Sequence, residues 1–201
     1  MSSFYKYKDP FHTYIDPETG LLRNLQGISD PDVFTFVESG VVTKRLQELY
    51  ENPIKILGCD SLFQIHKYLF QDIYDWAGKR RTVEISKEGK QFFPIEYFDN
   101  AIKYIDQLII EFKQIPKENR RSLAEKLAEI LDNVNYFHPF REGNGRTQRE
   151  FLRLLALEKD LILNINPPDN KGIYDRYMKG TIESDLTTLT ELLFELICFT
   201  D

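Results

Sequence analysis

Between His138 and Arg149 the chain reads His-Pro-Phe-Arg-Glu-Gly-Asn-Gly-Arg-Thr-Gln-Arg. His138 is a base that can take a proton near neutral pH. Glu142 can hold a hard cation such as Mg²⁺, and the turn Gly143-Asn144-Gly145 can offer backbone N–H groups to an anion. If a helix begins at about Asn144, its free N–H groups and positive dipole end aim at the same place. Arg146 and Arg149, one helical turn apart, could grip polyphosphate oxygens bidentately, with Arg141 just ahead of them. The stretch therefore reads as a phosphate site with a base beside it. No Gly-x-x-x-x-Gly-Lys-Ser/Thr loop occurs, and Gly143-x-Gly145 is too short for a dinucleotide fingerprint, so the usual nucleotide folds are not indicated.

The rest of the chain must present that stretch. Its 201 residues, 42% hydrophobic and 13% aromatic, suffice for one well-buried core. We expect an N-terminal arm over residues 1–29 and a single domain over 30–201. The net charge of −6 speaks against a general nucleic-acid-binding surface, which needs clustered cations. Arg141, Arg146, Arg149 and Arg153 are the local exception; they suggest an anionic ligand such as a nucleotide, the alternative being a solvated helix face. The N-terminus lacks a signal-peptide core and no window approaches a membrane span, so a soluble, cytoplasmic protein with no membrane contact is expected. Cys59 and Cys198, without a CxxC or a zinc spacing, read as core thiols.

Periodicity predicts a mainly helical, all-α fold interrupted by one β-hairpin. Asp16-Pro17-Glu18-Thr19-Gly20 marks a turn in the arm. Asp30-Pro31 starts a helix that runs to about Glu51 and stops before Pro53. Asp60 reads as the cap of a second helix, on whose apolar stripe His66 reads as a packed core residue. The alternation Thr82 to Ser86 and Lys90 to Phe93 predicts a hairpin across residues 80–94, either a mere connector or an edge able to take an extended peptide by strand addition. A third helix spans Phe98 to Phe112, and a fourth Leu123 to Asn135. A buried fifth runs from Asn144 to about Lys159 and carries Arg146, Arg149 and Arg153 on one stripe. The motif loop thus lies between two central helices. Pro167-Pro168 interrupts the pattern, and two shorter helices follow, at about Asp169 to Lys179 and Ser184 to Phe199.

The run His138-Pro139-Phe140-Arg141-Glu142-Gly143-Asn144-Gly145-Arg146-x-x-Arg149 resembles the full signature of the Fic (filamentation induced by cAMP) family. Leu69 to Gly78 with Arg81, and the Ser86-Lys87 strand end, are similar to family sequences ahead of the hairpin called the flap. Tyr14-Ile15-Asp16-Pro17-x-Thr19-Gly20 looks like the bacterial branch that pairs Fic toxins with small antitoxins. The resemblance implies transfer of AMP from ATP to a Tyr, Thr or Ser hydroxyl of a target protein. In that scheme His138 is the base and Glu142 holds Mg²⁺. Gly143, Asn144 and Gly145 form the anion hole, Arg146 and Arg149 hold the outer phosphates, and Arg141 belongs to the nucleotide site. Phe140 would be a structural anchor, and the flap would dock the target through Ser86, Lys87 and Phe92.

The resemblance also implies partners. Toxins of this branch suggest a type II topoisomerase subunit as a candidate target. Family members are commonly silenced by a glutamate in Ser/Thr-x-x-x-Glu-Gly/Asn that pairs with the second motif arginine, here Arg149. Thr187-x-x-x-Glu191 alone has the spacing, but Leu192 follows it and the helix is apolar, so inhibition is expected from a separate antitoxin chain. Transfer of another nucleotide or phosphate-containing group, and a non-catalytic nucleotide- or peptide-binding adaptor, are the alternatives.

Overall fold

Start signals in the sequence account for several of the helices in the computed structural model, which describes residues 5–7, 12–87, 89–165 and 170–199. Asp30 caps α1 (Pro31–Glu51), its carboxylate accepting from the Asp32 and Val33 N–H groups, with Pro31 fitting the first turn. Next come α2 (Asp60–Phe70), α3 (Phe98–Gln114), α4 (Arg120–Phe137) and α5 (Asn144–Leu157). Asn119 caps α4 by accepting from the Ser122 N–H. The last two are α6 (Lys171–Glu183), capped by Asn170, and α7 (Leu186–Leu196), capped by Asp185. The fold is mainly helical, and no described helix is long and apolar enough to cross a membrane.

The core lies around α4 and α5. α4 packs against α3, α5 and α7, while α2 packs against α5. Leu123, Leu127, Ile130 and Leu131 of α4 and Phe151, Leu152, Leu154 and Leu155 of α5 are all buried. An element apolar around most of its circumference must be covered on most sides, and α5 is. The loop between α4 and α5 therefore starts and ends on the two best-packed helices.

The hairpin exists but is shorter than the alternation suggested. β2 (Ile85–Lys87) pairs antiparallel with β3 (Lys90–Gln91), with Ser86 opposite Gln91. Beyond Ile85, carbonyls of both arms are taken by Arg81: Nη1 donates to Val83 O at 2.8 Å and Nη2 to Phe93 O at 2.6 Å. The β2 edge is also occupied. β1 (Tyr5–Tyr7) pairs with it antiparallel, Tyr5 opposite Lys87, giving the order β1-β2-β3. An added strand must therefore use the β3 side.

Other boundaries differ too. Asp60 is the first residue of α2 and not its cap; the N–H of Cys59 before it is met instead by Asp106 Oδ1 at 2.7 Å. The predicted final helix ends early: Ile197–Phe199 is β5, paired with β4 (Leu161–Leu163) just after α5. Cys59 is buried as expected, but Cys198 is exposed on β5. Pro167, Pro168 and Asp169 lie outside the described residues. In the arm, Asp16 accepts from the N–H groups of Glu18 and Thr19, making the expected turn.

Candidate active site

α4 ends on His138, whose backbone is left-handed (φ 45°, ψ 57°) while its N–H still reaches Val134 O at 3.1 Å. A non-glycine residue there is uncommon and persists only where surroundings fix it. Three contacts do so. Arg81, buried, donates from Nε to His138 O at 2.9 Å, and its own N–H reaches Pro139 O at 2.7 Å. The ring of Phe92 stacks on the imidazole, centroids 3.7 Å apart and 14° from parallel. His138 Nδ1 lies 3.0 Å from Asn135 O. A carbonyl can only accept, so Nδ1 carries the proton and Nε2 keeps its lone pair, the tautomer a base requires.

Phe140 is buried against His66 (centroids 3.7 Å) and edge-on to Phe63 (5.2 Å). His66 in turn ties the loop to α2. Its Nδ1 accepts from the Gly78 N–H at 2.8 Å, so Nε2 carries the proton and donates to Glu142 O at 3.0 Å. Burial pushes the His66 imidazole down to about 3 from an ordinary 6.5. Between those pH values the unfolded chain binds a proton that the folded chain refuses. Stability should therefore fall as pH drops below about 6.5, by roughly 1.4 kcal/mol per pH unit from this group. Urea unfolding at pH 7 and pH 5 checks this, and His66→Gln should remove most of the slope.

Gly143 turns the chain into α5 at φ 81°, and a Cβ there would come within 2.5 Å of the Phe70 ring, so only glycine fits. Its carbonyl accepts from the Thr147 N–H and hydroxyl. As at any helix start, the first N–H groups of α5 have no acceptor within the helix. Asn144, whose backbone N–H belongs to the expected anion hole, spends its side chain on the loop: Oδ1 accepts from Phe140 N at 3.0 Å and Nδ2 donates to Phe140 O at 2.8 Å. It staples the loop. Glu142 Oε1 accepts from Gly143 N at 3.0 Å and lies 3.8 Å from Arg146 Nη2.

These residues border a cavity of about 430 Å³. One wall is His138, Glu142, Gly143, Gly145, Arg146 and Arg149. A second is the β3 side of the hairpin, Lys90, Gln91 and Phe92. The third, which sequence reasoning missed, is α6, with Tyr174, Tyr177 and Met178. Lys90 Nζ crosses to Ile182 O at 2.9 Å, Gln148 bonds the Tyr177 hydroxyl, and Arg149 lies over the Tyr177 ring at 5.4 Å. The sequence predicted a helix at about Asp169 to Lys179, but nothing in its spacing said which wall it would make.

Of the flap residues, Phe92 reaches the cavity; Ser86 belongs to β2 and does not border it, and Lys87 is placed by backbone pairing only. Two arginines leave the group: Arg141 is buried and absent from the cavity wall, and Arg153 pairs with Glu150 in the core. Glu191 is exposed, 2.7 Å from Arg121, and does not border the cavity that Arg149 lines. Among the described residues no group of three or more His, Cys, Asp or Glu could hold a metal. Among the described residues, the carboxylate that lines the cavity is Glu142. That donor set suits Mg²⁺, which binds through one or two carboxylates, substrate phosphates and retained water.

Residues 57–156 match the model of the Fic/DOC family. The chain is 36% identical over 154 residues to protein adenylyltransferase VbhT of Bartonella schoenbuchensis, covering 76% of this chain and 32% of that protein. It is 29% identical over 182 residues to the probable protein adenylyltransferase y4lH of Sinorhizobium fredii, covering 90% and 93%. The chain thus spans about a third of the first relative and nearly all of the second. Among solved structures, the BepC protein of Bartonella tribocorum with bound AMPPNP shares the fold, with a TM-score of 0.81 at 19% identity, over 94% of this chain and 98% of that one.

Proposed function

The chain carries a Fic/DOC family domain, and from that premise we propose that it is a protein adenylyltransferase, moving AMP from Mg-ATP to a Tyr, Thr or Ser hydroxyl of a target protein. The observation that carries this reading is the cavity itself: a base in the right tautomer, an anion-binding helix start and two arginines share one wall. Curated relatives bear the same activity in their names.

In this reading His138 Nε2 takes the hydroxyl proton as the oxygen attacks the α-phosphorus. The new bond is oxygen to phosphorus, and the bond to the leaving pyrophosphate breaks. Arg146 and Arg149 hold the outer phosphates in line, and the α5 N–H groups of Gly145 and its neighbours receive the charge that develops. Glu142 would hold Mg²⁺, which when bound would neutralise phosphate charge. The aromatic face of α6 offers the nucleoside an apolar wall. The target segment lies on the β3 side of the hairpin, where Phe92 packs on the base. The Asn144 side chain braces the loop at Phe140, and Arg141 is buried away from the cavity wall.

The toxin role belongs to the same proposal. A small antitoxin would lend a glutamate to Arg149 in trans, since Glu191 is engaged with Arg121. A type II topoisomerase subunit is the target class to try first.

The test is incubation of the purified chain with Mg²⁺, α-labelled ATP and either a bacterial lysate or purified topoisomerase subunits. Label should appear on a protein band. Transfer seen only with another nucleotide donor would replace ATP in the reading. Nucleotide binding without any transfer, in an antitoxin-free preparation, would make the chain an adaptor.

A further inference from the structure

Arg146 is held by a residue 108 positions away: Glu38, on α1, accepts from Arg146 Nη2 at 3.1 Å. The same Glu38 oxygen accepts from the Tyr74 hydroxyl at 2.7 Å. Arg146 Nη2 is also 3.8 Å from Glu142 Oε1, and its guanidinium lies over the Phe70 ring at 4.8 Å. One cation is therefore flanked by two carboxylates and an aromatic face. Burial works against the Arg146 charge, but Glu38 and Glu142 outweigh it and hold the guanidinium's pKa above its usual range.

The placement of the two carboxylates differs. Glu142 and Arg146 line the cavity; Glu38 does not. Its side chain is only 15% exposed and meets the guanidinium without bordering the cavity. A carboxylate inside the cavity would compete with phosphate for the arginine. One behind it leaves the other N–H donors of the fork for a ligand and removes the freedom of a long side chain before the ligand arrives.

We propose that Glu38 is a positioning residue: it fixes the Arg146 guanidinium for polyphosphate, and Tyr74 fixes Glu38. The inference rests on the nucleotide reading above. Glu38 touches neither substrate nor reacting atoms, so its effect must pass through Arg146.

A mutant cycle with direct binding tests this. The Mg²⁺ complex of the non-hydrolysable ATP analogue AMPPNP is titrated calorimetrically into the wild-type chain, Glu38→Gln, Tyr74→Phe, Arg146→Ala and the two double variants. Glu38→Gln keeps the shape but loses the charge-assisted bond, and should weaken binding about tenfold. Tyr74→Phe should act in the same direction by a smaller factor. In the Arg146→Ala background neither change should weaken binding further. The proposal is overturned if Glu38→Gln binds as well as or better than wild type, or if its loss multiplies with that of Arg146→Ala. Should Glu38→Gln fold poorly, the Tyr74→Phe arm of the cycle decides by the same criteria. A wild-type chain that binds no nucleotide would refute the nucleotide reading itself; binding with Glu38→Gln unchanged would refute only the role of Glu38.

Discussion

His138→Ala is expected to lower AMP transfer by about 10²- to 10⁴-fold, the usual contribution of a positioned general base. The loss should fall on the chemical step. The groups that would grip the nucleotide, Arg146, Arg149 and the start of α5, do not depend on the imidazole, because the loop is braced elsewhere. Arg81 holds the His138 and Pro139 carbonyls, and Asn144 holds both backbone groups of Phe140. Affinity for AMPPNP should stay within about twofold, well under the tenfold that 1.4 kcal/mol represents. Single-turnover transfer of labelled AMP, paired with calorimetric binding, separates the two quantities. Transfer at the wild-type rate would remove His138 from the chemistry. A parallel collapse of binding and of melting temperature would make it a structural residue.

The second large effect is on stability. Glu150, fully buried, receives two bonds from Arg153, at 2.9 and 2.6 Å. Arg153 also donates to Leu49 O at 3.2 Å and lies 4.0 Å from the Tyr50 ring centroid. Arg153→Met keeps most of the volume and takes the guanidinium away from a carboxylate buried in the core. Breaking one side of such a pair costs about 3–5 kcal/mol. For a chain of this size that lowers the melting temperature by roughly 10 °C. Adding Glu150→Leu should recover much of the loss, since a buried ion pair is often no more stabilising than well-packed apolar groups. Urea denaturation of the single and double variants measures both numbers. A single variant as stable as wild type would mean that water or a neighbour satisfies Glu150. Because Leu49 and Tyr50 are on α1, the pair also anchors the helix that carries Glu38.

Features fixed by local chemistry were legible before any coordinates. Asp30-Pro31 and Asn144 start helices where their types predict, and the fourth and fifth helices bracket the motif. His66 sits in the core as its apolar stripe required. What escaped was settled by partners distant in sequence. Leu161–Leu163, shortly after α5, and Ile197–Phe199, directly after α7, are three-residue strands too short for a period to register. Arg81 takes carbonyls on both arms of the hairpin, and β1 covers an edge from the far end of the chain. Within the motif, residue type gave the chemistry available but not the direction faced. Arg141 and Asn144 are as polar as Arg146, yet the first is buried and the second is spent on Phe140. Glu38 lies in a helix with no motif around it, and only the packing of α1 brings it to Arg146.

One guanidinium, that of Arg81, grips the hairpin at Val83 and Phe93 and the base at the His138 carbonyl. The hairpin cannot slide along its own direction without dragging His138. A target strand laid beside β3 would present successive side chains to opposite faces. Its hydroxyls would then meet the imidazole by parity: the residue one position away would point to the wrong side, and a slip that still delivers a hydroxyl would have to be of two residues. For such a strand Arg81 would act as a fixed index mark, turning the choice of acceptor within a target from a matter of distance into one of odd and even.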